Sequence, residues 1–316
     1  MATHRLLRAA LLAALVPLAV IAVQAQGHGN PPDRPVPALA AEPPMLGLHW
    51  EHGQAGKARP GGGGTANMAW HKGAIMPLTT VTPIFWGPSW GNPGFVGDKI
   101  VGLNSWHIGV GGSTFANTSN EYTGTNGQVT SAISYPTGYI LDSSAVPGTV
   151  GKLTTPTATE VCKVIGNSAP LDGSGYYPVY VDVKRGNAGF CAYHSYTTCN
   201  NVPVQFAFFF NLDGDAGCDP GDISGQHSQG LAALVNVSAH ELSEARTDPR
   251  NGGWYDSSGE ENADKCAWSY GTPLISLTNG SQWKMQGNWS NSAYNSGTGY
   301  PNRGGQKGCL DGGNYK

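Results

Sequence analysis

The sequence predicts an α+β fold: a single mixed-sheet domain, disulfide-bonded and zincin-like, with a long helix carrying an HExxE motif. Three observations lead there. Residues 177–183 and 204–212 are runs of Val, Tyr and Phe that read as strands, the second apolar enough for a central, buried position. Residues 228–246 repeat apolar groups at helical spacing, with Leu231, Leu234, Val235, Leu242 and Ala245 on one face. Strands and helices succeed one another without strict βαβ alternation, which favours α+β over a doubly wound sheet.

The remaining elements are read in chain order. Residues 79–86 read as a strand ended by the Gly87-Pro88 turn, and 98–106 as a short helix. Residues 129–141 look extended. Thr155-Pro156 supplies an N-cap and a Pro at the first helical position, opening a helix to about Ile165. Pro249 stops the 228–246 helix.

The N-terminus is of another kind. Arg5 and Arg8 precede an apolar stretch from Ala9 to Val23, and Val23-Gln24-Ala25 places small residues for cleavage after Ala25. Residues 1–25 are therefore expected to be a signal peptide, and the mature protein to be secreted, extracellular or cell-wall associated, with no membrane contact after cleavage. Residues 26–66 are rich in Pro and Gly, from Pro31 to the Gly61–Gly64 run, and read as a disordered linker or propeptide. Residues 67–316 form the expected single domain. The six cysteines, Cys162, Cys191, Cys199, Cys218, Cys266 and Cys309, favour three disulfides in an exported chain. Cys191–Cys199 is a plausible local pair, and the other pairings are open. With 12% charged residues, a net charge of -3 and no basic patch, nucleic acid is excluded as a partner. Oligomeric state is not legible.

One segment carries metal chemistry. His240 and Glu244 stand four apart, so a helix brings them to one face with Asn236. Zinc proteases use that spacing for two ligands, with the Glu after the first as general base; that residue here is Glu241. The second ligand is Glu244 where those enzymes have His. A carboxylate ligates zinc, but it makes the metal a weaker Lewis acid. The third ligand is Glu261 or Asp264, from the acidic stretch 260–264, and Asp248 is an accessory candidate two turns beyond His240. Against this stands the ordinary reading, a solvated polar helix face. His194, between Cys191 and Cys199, is either an accessory ligand fixed by a disulfide loop or a His bonding loop backbone. His227 reads as a surface or capping residue. Asp213, Asp215 and Asp219 alternate with Gly in a run that suits calcium, or equally Asx turns. Trp268, Tyr270, Trp283 and Trp289 read as core before sugar-stacking surface. A nucleophile elbow, a P-loop and a dinucleotide fingerprint are all missing.

Several short motifs occur together: Pro83-Ile84-Phe85-Trp86-Gly87, Glu121-Tyr122-Thr123, Phe190-Cys191-Ala192-Tyr193-His194, His240-Glu241-Leu242-Ser243-Glu244 with Thr247-Asp248-Pro249, Gly253-Trp254-Tyr255, Glu261-Asn262-Ala263-Asp264-Lys265-Cys266 and Trp289-Ser290-Asn291. In this order, over residues 75–310, the chain resembles the EXORDIUM or phosphate-induced protein family, and its bacterial relatives most. The resemblance implies an extracellular, cell-wall-associated protein linked, in plants, to growth. Some plant members lack the His-Glu pair that stands here as His240-Glu241, so the fold can serve without that chemistry. Two functions therefore remain in view. One is a secreted zinc-dependent hydrolase, metallopeptidase-like, acting on peptide. The other is a non-catalytic extracellular binding protein with a cell-wall polymer as ligand.

Overall fold

In the computed structural model, which describes residues 41–54, 66–136, 138–166 and 173–313, the β-branched and aromatic runs assemble one mixed sheet. Its strands are β1 (Leu46–Trp50), β2 (Thr79–Val81), β3 (Ile84–Trp86), β4 (Ile133–Ser134), β5 (Ile140–Asp142), β6 (Gly175–Lys184), β7 (Phe190–Cys199) and β8 (Val202–Asn211). The long strands run in the order β1-β7-β8-β6. β1 and β8 are antiparallel to β7, and β8 is parallel to β6. β6 then carries β2 and β3 in parallel along its other edge, each extended by a short parallel partner, β4 and β5. The sheet is covered on both faces, which is why β8 is apolar at nearly every position rather than alternating.

The longest helices among the described residues are α1 (Lys99–Val110), α2 (Thr155–Ile165) and α3 (Gln229–Thr247). Successive strand residues point to opposite faces, and β7 shows both. The Tyr193 hydroxyl reaches Thr157 of α2, while His194 reaches Glu244 of α3. These two helices therefore sandwich the sheet. Ser228 caps α3 by accepting from the Leu231 N–H. Every residue of α3 from Gly230 to Thr247 is buried, because α1 and the segments after residue 254 close over the side away from the sheet. The polar face anticipated as a solvated surface is thus internal, and each group on it needs a partner.

The sequence places residues 26–66 in a disordered linker, and for 41–54 the structure corrects this. Leu46-Gly47-Leu48-His49-Trp50 forms the edge strand β1, and the segment is tied down along its length. Glu42 accepts hydrogen bonds from Thr154 and Thr155 at the start of α2. Ser195 donates to the Pro44 carbonyl, Trp268 Nε1 donates to the Trp50 carbonyl, and Glu51 pairs with Arg185. Backbone pairing and these anchors order a stretch whose Pro and Gly content argues for disorder. The signal peptide 1–25 and the rest of the linker lie outside the described residues, except for Ala66.

All six cysteines are paired: Cys162–Cys199, Cys191–Cys218 and Cys266–Cys309. The local Cys191–Cys199 pair does not form. Both lie on β7, eight residues apart, so extended backbone holds them about 26 Å from each other, far beyond disulfide reach. His194 accordingly sits on a sheet strand, not in a disulfide loop. Three disulfides are consistent with an extracellular protein. Among the described residues no helix is long and apolar enough to cross a membrane.

Candidate metal centre

α3, β7 and the loop after residue 256 converge on one point. The i,i+4 spacing brings His240 Nε2 to 3.1 Å from Glu244 Oε1. β7 delivers His194 from the sheet, its Nε2 4.0 Å from Glu244 Oε2. The acidic loop contributes Glu261, with Oε1 3.2 Å from His194 Nε2, and Asp264, with Oδ1 3.5 Å from His240 Nε2. Two ligand-type groups result, His194–Glu244–Glu261 and His240–Glu244–Asp264, and Glu244 belongs to both.

The loop is held there by its own bonds. Lys265 pairs with Asp256 at 2.6 Å, the Asp264 N–H donates to Glu244 Oε1 at 2.9 Å, and Cys266–Cys309 ties the segment to a small C-terminal ladder. On the other side of His240, the Gln286 amide is oriented by backbone. Its Oε1 accepts from the Trp268 N–H and its Nε2 donates to the Ala263 carbonyl. Gln286 Nε2 then faces His240 Nδ1 at 2.9 Å, and His49 Nε2 meets Gln286 Oε1 at 3.0 Å. His49 also lies edge-on to His240, ring centroids 4.3 Å apart.

The centre is buried: His194, His240, Glu241 and Glu244 have no exposed surface, and the Asp264 side chain is 16% exposed. Hydrogen bonds satisfy it only in part: His194 Nε2 is hydrogen-bonded to Glu261 and the Glu261 N–H donates to Asp264 Oδ2. His240 Nε2, Glu244 Oε2, both Glu241 carboxylate oxygens and His194 Nδ1 lack a hydrogen-bond partner. His240 Nε2 and Glu244 Oε1 are 3.1 Å apart but not aligned as donor and acceptor, and Glu244 Oε1 accepts from the Asp264 N–H instead.

The protonation equilibria reflect this crowding. Burial holds the His194 imidazolium down to about 3, with His240 adding to the effect, and the same two causes hold His49 well below its usual range. Burial also opposes a charge on His240, but Glu244, Asp264 and Glu241 outweigh it and lift His240 well above its usual value. Burial and then Asp264 push Glu244 up to about 7. Burial, with neighbouring carboxylates second, drives Glu261 well up. Glu241 is raised chiefly by burial, with Glu244 and Asp264 adding to it. In a protein without a bound cation, burial and mutual repulsion raise the proton affinity of Glu241 and Glu244 more than the nearby His240 lowers it.

Of the residues singled out from sequence, His240, Glu244, Glu261, Asp264 and His194 are brought together. Glu241 is near but points elsewhere on the helix, against the backbone of His49. Asp248 joins neither group: it ends α3 and accepts from the Gly252 and Gly253 N–H groups. His227 stacks on Trp283 and pairs with Asp222, away from the centre. Asp213, Asp215 and Asp219, the calcium candidates, form no converging ligand group among the described residues. Asp213 pairs with Lys99 and Asp215 with Arg185, while Asp219 Oδ1 accepts from the Gly221 N–H. These carboxylates neutralise protein cations or close turns instead of converging. Sequence reasoning missed His49, Gly47 and Gln286. The alternating Leu46-Gly47-Leu48-His49-Trp50 pattern was a strand signal inside the Pro/Gly-rich stretch; Gln286 carried none.

Comparison with known protein families, with curated proteins and with solved structures gives no match. The functional reading therefore rests on the geometry of this centre.

Proposed function

We propose that the buried centre binds a divalent metal ion through His240, Glu244 and Asp264, with His194 and Glu261 beside them, in a secreted protein. The observation that supports this is the convergence of imidazole and carboxylate groups in a buried space where His240 Nε2 and Glu244 Oε2 have no hydrogen-bond partner. An uncompensated buried carboxylate costs several kcal/mol, and a bound cation removes that cost. Zinc is the first candidate, since imidazole and carboxylate at these separations suit it.

When bound there, such a cation supplies Lewis-acid chemistry of the kind that activates water. The chain's own part in a hydrolase, metallopeptidase-like in substrate, would fall to Glu241, which follows His240 in the chain and would take and return the proton of the attacking water. The resemblance to the EXORDIUM or phosphate-induced family belongs to this proposal, and implies a protein at the cell wall with a peptide or wall polymer as its substrate or ligand. β1 lies over the centre, so substrate access requires that strand to shift.

A second reading has its own observation. The Gln286 amide presents its N–H to His240 Nδ1, which leaves the imidazole proton on Nε2, the atom a metal would need. Metal binding therefore requires that amide to turn. A non-catalytic extracellular binding protein, with the centre as a hydrogen-bonded polar core, needs no such change. Metal analysis of the purified protein beside His240→Ala separates the two. Near-stoichiometric metal, lost in the variant, supports the centre, and Glu241→Gln then tests the hydrolase role on a peptide library. No metal in the native protein, with folding indifferent to chelator, leaves the binding-protein reading.

A further inference from the structure

Building on the metal-centre reading, we propose that the centre is dinuclear, with Glu244 as a carboxylate bridging two divalent ions. One ion is held by His240 and Asp264, the other by His194 and Glu261. The two oxygens of Glu244 face different partners: Oε1 lies 3.1 Å from His240 Nε2, and Oε2 lies 4.0 Å from His194 Nε2. Here each histidine has its own carboxylate at 3.2 to 3.5 Å. Those separations suit the edge of a coordination polyhedron, about 3.3 Å for bonds of roughly 2.0–2.1 Å.

Three further features favour a second ion. Glu244 Oε2, on the His194 side, is fully buried and has no hydrogen-bond partner. Charge points the same way. Glu244, Glu261 and Asp264 bring three carboxylates to the two groups, one more than a single divalent ion neutralises, and the adjacent Lys265 is committed to Asp256. Finally, β1 crosses the His194 side at a glycine in the left-handed region, φ 47°. A Cβ at Gly47 would collide with Glu244 Oε2 and stand 2.7 Å from His194 Nε2. Glycine keeps open the space between those two ligands.

The experiment titrates purified, metal-free full chain with Mn²⁺, counts bound ions and records the electron paramagnetic resonance spectrum. The proposal expects two equivalents and the broadened spectrum of an exchange-coupled pair, ions about 3.5–4 Å apart. It also expects His194→Gln to bind one equivalent with the resolved six-line signal of an isolated ion. A single equivalent in the native protein, lost in His240→Ala and kept in His194→Gln, overturns the dinuclear centre and leaves the mononuclear one standing. Two equivalents without coupling overturn the bridge. No bound Mn²⁺, together with no bound Zn²⁺, overturns both readings.

Discussion

Two acid-rich stretches of this chain, residues 213–222 and 260–264, look alike in sequence and end in opposite environments. In the first, Asp213 faces Lys99, Asp215 is held by Arg185, and Asp219 and Asp222 cap turns by accepting backbone N–H groups. Glu261 and Asp264 of the second instead face two buried histidines and Glu244, with buried atoms left unpartnered. The difference shows what marks a candidate ion site. It is not the density of carboxylates, which both stretches share, but their setting: the first is matched by Lys99, Arg185 and turn N–H groups, whereas the second lies with Glu244 among buried histidines, where Glu244 Oε2 has no hydrogen-bond partner. An acid that already has its counter-charge is explained by the fold. A buried acid without one points to a charge that must come from elsewhere.

The largest effect that tests this contrast is metal removal. With free metal a thousandfold above Kd, linkage contributes about 4 kcal/mol to stability. Calorimetry with and without chelator should show a loss of that order for the native protein and a smaller one for His240→Ala. An unchanged native transition would break the comparison.

Next comes Gly47→Ala. Left-handed backbone costs a non-glycine residue roughly 1–2 kcal/mol, and displacing the Glu244 and His194 side chains adds to it. A loss of about 3 kcal/mol in urea denaturation is expected, with weakened metal binding. Equal stability and affinity would show that β1 does not press on the centre.

Arg185→Ala sharpens the contrast from the other side. It removes the partner of Asp215 and of Glu51 at a mostly buried position, and should cost about 2 kcal/mol while leaving metal content unchanged. Loss of metal would mean that the first stretch also holds an ion.

Glu160 gives the smallest effect and an intermediate case, an acid that shares one lysine with another acid. Burial, and then Asp142, lift Glu160 to about 7 although Lys163 is 3.2 Å away. The folded protein therefore binds this proton more tightly than the unfolded chain does. Its stabilising contribution is complete below about pH 4.5 and is lost as pH rises towards 7. Over that window Glu160→Gln should abolish the decline, read from denaturation midpoints. Asp142, held down to about 2, acts only below that range.

Much of the fold was legible because local signals and tertiary packing agree. The Thr155-Pro156 start gave α2, the apolar runs gave β6 and β8, and the helical spacing of apolar residues with Pro249 gave α3. β1 was hidden because its five-residue alternation is embedded in Pro and Gly, and its order comes from distant partners such as Arg185, Ser195 and Trp268. In the centre, the i,i+4 rule placed His240 beside Glu244, and residue type marked Glu261 and Asp264. His194 was linked to the wrong feature, since a disulfide loop between Cys191 and Cys199 required a bend that β7 does not make.

By itself, then, the sequence determined what the local backbone dictates: the α+β class, the principal helices, the even cysteine count and the pairing of His240 with Glu244. Tertiary structure alone decided that the polar face of α3 is buried, that Glu244 turns its two oxygens to two different histidines, and that Gly47 keeps the space between them open. The reason is one of range. Helix spacing and capping act over four residues, whereas the counter-charge of a buried group is set by side chains that folding brings from anywhere along the chain.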